Sequence, residues 1–278
     1  ETWLVLGGGG LMAAFPLAYA TVLPALYAPI IAMLLGLILR GVAFEFRFRA
    51  LPDTRWIWDQ SFFAGSLVAT FCQGLALGAY LQGVKVADRT YAGGWLDWLT
   101  PFTVMTAFAL CGGYALLGAT WLVWKTEGQL HLDSRRQARI LAVVVLVFIA
   151  VVSIWSPFLH PDIWSRWLSW PNIVLLSPVP MLVLLLFVAL RRTLEAGHDA
   201  RPFLLTLGMF ALAFLGMGFS TYPYIVPRSI TIWEAASPDD SLRFLLVGAA
   251  ILVPVILVYT GYAYWVFRGK VSGKEGYH

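Results

Sequence analysis

Apolar residues run in long stretches along this chain, and polar residues gather in short clusters between them. Eight stretches are long enough to cross a bilayer: residues 3–22, 25–44, 61–82, 102–124, 138–157, 173–190, 203–222 and 243–267. About 20 residues of helix span a hydrocarbon core of about 30 Å. The runs are rich in Leu and Ala and lack period-2 alternation, so they predict helices and not strands. The fold class expected is all-α: a polytopic transmembrane helix bundle of about eight spans, forming a single domain over residues 1–278. The first two spans are separated by almost nothing near Leu23 and Pro24, which predicts a tight antiparallel pair. The longest connections, 83–101, 158–172 and 223–242, carry Trp95, Trp98, Trp164, Trp167, Trp170 and Trp233. They are expected to act as interfacial caps or partner contacts, because amphipathic rings settle at the headgroup level.

Composition agrees with a bilayer. The chain is 60% hydrophobic and 12% charged, where soluble domains have about 45–50% apolar and about 25% charged residues. The net charge of +4 is spread over short loops. No dense basic patch is present to follow a phosphate backbone, so nucleic acid is not an expected partner. Cys72 and Cys111 lie in apolar runs and form no CxxC, so they read as small buried residues. Thirteen basic residues, from Arg47 to Lys274, fall in loops on one side, and five fall on the other: Lys85, Arg89, Arg166, Arg228 and Arg243. The richer side is expected to be cytoplasmic, which puts the C-terminus inside. The chain enters an apolar run directly from Glu1, so a preceding segment is expected to be missing.

Few residues invite chemistry. Gly74 and Gly78 form a GxxxG within a span, and Gly7, Gly8, Gly9 and Gly10 are consecutive. Small residues let helices approach closely in lipid, so plain helix packing accounts for the pair. The run of four suggests contact with a further helix, such as one of a partner subunit. Arg40 lies in the last turns of its span, with Glu45, Arg47 and Arg49 just beyond. Arg40 can snorkel to the interface, and Glu45 and Arg49 are spaced for an i,i+4 pair. This cluster reads either as an interfacial anchor or as part of a proton path or subunit contact. Pro178, Pro180 and Pro254 are expected to kink their spans. Asp59 and Asp97 sit at span edges. His131, His160, His198 and His278 all lie in loops or at the terminus, so the chain offers no usual axial haem ligand. No metal-ligand spacing, P-loop, GxSxG or dinucleotide fingerprint occurs, and no metal site is expected.

An ordered set of strings resembles subunit II of cytochrome bd-type quinol oxidases, including the cyanide-insensitive branch. Glu1-Thr-Trp3-Leu-Val-Leu-Gly-Gly, with Ala-Ala-Phe15-Pro16-Leu-Ala-Tyr19, is similar to the family's second helix. Arg40-Gly-Val-Ala-Phe-Glu45-Phe-Arg47 is similar to the end of its third. Gly128-Gln-Leu-His131-Leu, Tyr222-Pro223-Tyr224, Thr231-Ile-Trp233-Glu234-Ala and Val253-Pro254-Val-Ile-Leu-Val-Tyr259-Thr260 follow in order, with Tyr264-Trp265 after them.

The resemblance implies nine helices in the whole subunit, arranged as two four-helix bundles and a peripheral helix, with the first helix lacking here. It implies a heterodimer in the bacterial cytoplasmic (inner) membrane. Subunit I would hold haem b and haem d and oxidise quinol, while this chain binds no haem. It leaves room for a structural quinone and a small accessory subunit. Oxygen would be reduced to water with protons from the cytoplasm. Glu1, Trp3, Arg40, Glu45 and Arg47 become proton-path or subunit-interface residues on this reading. Two rivals remain. A secondary transporter would be expected to show repeats, and none is apparent. A purely structural membrane scaffold would take no part in proton flow.

Overall fold

The computed structural model describes residues 2–159 and 177–270, together with 165, 167, 169–170 and 173–174. The described residues form nine α-helices: α1 (Thr2–Ala14), α2 (Pro16–Arg49), α3 (Arg55–Gln82), α4 (Pro101–Lys125), α5 (Gly128–Leu159), α6 (Pro178–Glu195), α7 (Arg201–Thr221), α8 (Ile232–Ala235) and α9 (Asp239–Val266). Among the described residues, six segments are long and apolar enough to cross a membrane: α2, Pro52–Gln82 containing α3, α4, α5, α7 and α9. At about 1.5 Å per residue the 34 residues of α2 run about 51 Å, well beyond a hydrocarbon core of about 30 Å.

Two boundaries differ from the hydropathy reading. No turn occurs at Leu23 and Pro24; α2 passes through both, and the interruption falls at Phe15, with Pro16 opening α2. A turn at membrane depth would strip several backbone groups of partners, whereas a proline inside a helix frees only one carbonyl. Pro178 begins α6 instead of kinking it, as a residue without an N–H suits a first turn. The α6 helix is only 18 residues long and carries three charges, Arg191, Arg192 and Glu195, in its last turns, which sets it apart from the six membrane-length segments. Pro254 does lie inside its helix, α9.

Short strands also occur, contrary to expectation. β1 (Val86–Ala87) pairs with β2 (Thr90–Tyr91), and β3 (Tyr224–Val226) pairs with β4 (Ile230–Thr231), each pair antiparallel. Both hairpins lie in long connections, where a few ladder bonds satisfy backbone that no helix takes up. The connection 158–172 lies largely outside the described residues, with Trp164, His160 and Arg166.

The chain divides into two compact units. One comprises residues 26–82 and 96–220. Within it, α3 and α4 approach closely through small residues. A Cβ on Gly74 would lie 2.4 Å from Ala107 Cα, and one on Gly78 would lie 2.8 Å from Thr103 Cα. Such distances exclude any larger residue. The α2–α3 contact is similar, since a Cβ on Gly36 would meet the Gly65 carbonyl at 2.8 Å. Met33, Ala69 and Cys72 close around that crossing, and Cys111 is only half-buried. A larger core joins α4, α5, α6 and α7 through Leu116, Ala142, Val183, Leu190, Leu194 and Met209. The N-terminus of α4 is fixed by a capping box between Thr100 and Thr103 with Pro101 in the first turn. Gly197, at φ +83°, ends α6 in the left-handed conformation that glycine adopts without strain.

The other unit comprises residues 1–25, 83–95 and 221–278. Here α1 packs on α9. Ser237 ties the two ends together, donating its N–H to Ala14 O at 2.8 Å and its hydroxyl to Ala13 O at 2.7 Å. The hairpins meet where Ser229 Oγ donates to Val84 O at 2.9 Å. No described residue of α9 is buried within the chain.

Candidate functional site

The charged residues at the α2–α3 corner form the first candidate site. The helix α2 ends in Phe44-Glu45-Phe46-Arg47-Phe48-Arg49, and a short turn with Pro52–Thr54 leads into α3. Arg47 donates from Nε to an Asp59 carboxylate oxygen across this turn. Both side chains are about half exposed, at 46% and 50%. Beside the pair, Phe46 lies against Trp58 at 5.0 Å between ring centroids. Phe44 meets Phe48 edge-on at 5.3 Å. Arg55 and Trp56 continue the corner, and Trp56 is exposed. Charges paired among exposed rings suit the headgroup level.

Arg40, Glu45 and Arg47 thus share the last turns of α2, with Arg40 half-buried and Glu45 exposed. Arg49 makes no ion pair with Glu45. Arg47 pairs instead across the turn, and its partner, Asp59, is a residue the sequence placed only at a span edge. The usable signal was an acid in the first turns of α3 facing a basic helix end. Trp3 lies on α1 in the other unit and is 48% exposed. Glu1 lies outside the described residues. For Gly7, Gly8, Gly9 and Gly10, no described atom beyond their own helix comes within 4 Å of where a Cβ would sit.

A second polar cluster joins α4, α5 and the α6–α7 turn. Arg139 donates to Leu194 O, in the last turn of α6, at 3.0 Å. Arg135 reaches His198 O and Asp199 Oδ1, each at 3.4 Å. His131 Nδ1 lies 3.0 Å from Val123 O, and its Nε2 lies 3.9 Å from Asp199 Oδ1. His198 Nε2 lies 3.1 Å from Arg201 Nη1. Lys125 lies over the rings of Trp124 and Trp121, 4.9 and 5.2 Å from their centroids. These contacts lock helix ends together. Sequence reasoning left His131 and His198 as loop residues and did not single out Asp199, because their convergence depends on a tertiary fold that no local spacing records.

In the unit with α9, Thr231 and Glu234 form a capping box at the start of α8. The backbone N–H of Thr231, then its hydroxyl, hold the Glu234 carboxyl below the usual carboxylate range, and the charge of Arg89 acts in the same direction.

Haem needs axial His, Met, Cys or Tyr ligands within a pocket. His131 and His198 are engaged at helix ends, and no group of three His, Cys, Asp or Glu side chains converges among the described residues. Both described histidines are thus engaged outside the long apolar runs.

Apolar spans with charges and aromatics at their ends define a multi-pass membrane protein. Its sequence matches the family described as cytochrome bd terminal oxidase subunit II over residues 1–267. It is 30% identical to cytochrome bd ubiquinol oxidase subunit 2 of Bacillus subtilis (strain 168), covering 99% of this chain and 82% of that protein. It is 29% identical to cytochrome bd-I ubiquinol oxidase subunit 2 of Escherichia coli (strain K12), with the same coverage. The fold is similar to that of a chain of the bd oxidase from Geobacillus thermodenitrificans. The TM-score is 0.65 at 16% identity, covering 86% of this chain and 72% of that one. The chain belongs to the cytochrome bd terminal oxidase subunit II family.

Proposed function

We propose that this chain is the haem-free companion of a haem-bearing subunit I in a quinol:oxygen oxidoreductase of the bacterial cytoplasmic membrane. Quinol would be oxidised to quinone and dioxygen reduced to water, in an enzyme that contributes to the proton-motive force. The haems b and d would lie in subunit I, and a structural quinone or small accessory subunit is compatible with this chain. The C-terminus would face the cytoplasm, on the side richer in Lys and Arg. The observation that carries the reading is the family match along nearly the whole chain. The engagement of His131 and His198 at helix ends supports placing the redox chemistry in the partner.

The physical role we assign is support of a proton path. Electrons delivered to oxygen inside a low-dielectric membrane build up charge that protons must offset. A route along a helix interface can carry those protons without opening an aqueous channel. Arg40, Glu45 and Arg47 lie where such a route would begin at the cytoplasmic face, and Glu1 and Trp3 are carried over from the family pattern.

The test is a purified complex. The chain is expected to co-purify with a second, haem-bearing polypeptide, and Arg40→Gln or Glu45→Gln is expected to slow quinol oxidation several-fold at unchanged haem content. Normal turnover with normal haem would leave the chain a scaffold. Tightly held haem on this polypeptide alone would end the division of labour proposed.

A further inference from the structure

His131 and Asp199 face each other across the gap between α5 and the α6–α7 turn. The His131 side chain, in the first turns of α5, is 15% exposed. Its Nδ1 lies 3.0 Å from Val123 O, one of the last carbonyls of α4, which a helix end leaves without an intrahelical N–H. A carbonyl can only accept, so Nδ1 carries the hydrogen. The neutral ring therefore turns a bare Nε2 toward Asp199 Oδ1, 3.9 Å away. Two acceptors make no bond. A proton on Nε2 turns the same pair into a charge-assisted contact, and about 1 Å of approach brings it to hydrogen-bond length. Glycines stand on both sides of the gap. Gly128, at φ +68°, opens α5, and Gly197, at φ +83°, lies two residues before Asp199. Both hold the left-handed conformation that glycine takes without strain.

The other charged groups of these elements are engaged elsewhere or exposed. Lys125 at the end of α4 lies over Trp121 and Trp124. On α5, Asp133 accepts from Gln129 at 3.1 Å, and Arg139 donates to Leu194 O. On α6, Glu195 pairs with Arg191 at 3.7 Å. Glu127, Arg136 and Arg192 are exposed. Arg135 shares Asp199 Oδ1 with His131, at 3.4 Å. A proton acts the opposite way on His198. Its Nε2 lies 3.1 Å from Arg201 Nη1, and a guanidinium only donates, so that nitrogen accepts while His198 is neutral.

We propose that protonation of His131 closes a clasp: Nε2–H donates to Asp199 while Nδ1–H keeps Val123 O, and the α6–α7 turn is drawn toward the α4–α5 turn. Acid tightens this helix end and alkali loosens it, across the range in which imidazole changes charge. All the groups involved lie within one compact unit of the chain, so the inference does not depend on the functional reading above.

The test is hydrogen exchange of the purified protein in nanodiscs, from about pH 8 to about pH 5.5, corrected for intrinsic rate. The reporter is the residue-198 N–H, which donates to Thr193 O at 3.1 Å. A His198→Gln background removes the opposing histidine and keeps an acceptor for Arg201. There, protection at residues 196–198 is expected to rise about threefold on acidification, the scale of a part-exposed ion pair. Adding His131→Gln or Asp199→Asn is expected to flatten the response. Nitrogen spectra of isotope-labelled histidine follow His131 without either added substitution, and protonation of its Nε2 should track the rise. A response that is flat before either substitution, that survives either one, or that occurs without protonation of that nitrogen would overturn the proposal.

Discussion

Arg47, two residues from the end of α2, donates its Nε–H to Asp59 near the start of α3, so one ion pair bridges the turn between two spans. Its worth depends on what surrounds it. Both side chains are half exposed within this chain. Exposed pairs contribute about 0.2–1 kcal/mol. A double-mutant cycle with Arg47→Gln and Asp59→Asn, read by thermal unfolding of the purified complex, should give a coupling in that range that shrinks with added salt. A coupling that is much larger and insensitive to salt would mean that another polypeptide covers the corner.

Close helix approach should govern the α3–α4 contact. A Cβ on Gly74 would sit 2.4 Å from the Ala107 backbone, which cannot yield as a flexible side chain would. Overpacking of a tight interior costs about 1–3 kcal/mol, and backbone clashes belong at the upper end. Gly74→Val and Gly78→Val are therefore expected to lower the detergent melting temperature clearly and reduce yield. Gly118→Ala, where nothing lies within 4 Å, is expected to leave both unchanged or slightly raised. Equal effects at Gly74 and Gly118 would contradict the packing observed.

The α8 cap should respond to acid. Glu234 accepts the Thr231 N–H at 2.7 Å and is held below its ordinary pKa by that bond first. A group depressed in the folded state stabilises it above the unfolded pKa, and the contribution disappears as pH falls through the folded value. Hydrogen exchange at residues 231–235, corrected for intrinsic rate, should lose protection as pH is lowered through that window. Glu234→Gln, which can still accept in a capping box, should flatten the pH dependence. Glu234→Ala should remove the protection at every pH. A wild-type profile as flat as that of Glu234→Gln would rule out the carboxylate as the acid-sensitive element.

Much of this architecture is legible from hydropathy alone, because in a bilayer apolar length and helix length are nearly the same constraint. The spans containing α3, α4, α5, α7 and α9 follow that logic. The reading fails at Leu23 and Pro24, where proline is a local signal and the penalty for opening backbone in lipid is the stronger one. It also passes over Gly36 and Gly65. They belong to different helices, and only the fold brings the Gly65 carbonyl to the Gly36 backbone. Asp59 was legible as a polar residue at a span edge but not as a partner of Arg47, which lies twelve residues away, beyond any local period.

The lock between α5 and the end of α6 gives the last prediction. Arg139 spends a guanidinium N–H on the Leu194 carbonyl, one of the last-turn acceptors that a helix leaves without a partner. Its charge also lies where the α6 macrodipole is negative. Arg135 adds the His198 carbonyl and Asp199 from one turn away. A hydrogen bond to a charged donor contributes about 1.5–3 kcal/mol, and burial leaves the deserted carbonyl poorly hydrated. Arg139→Leu should therefore destabilise the purified complex by about 2 kcal/mol. Arg139→Lys should recover part of this through charge, but less than all of it, because a lysine lacks the planar fork. Asp199→Asn should cost less than Arg139→Leu, since Asp199 is part-exposed and its ion pairs with Arg135 and His131 are long, at 3.4 and 3.9 Å. If Asp199→Asn proves the more damaging of the two, the lock depends on the ion pair and not on the capped helix end.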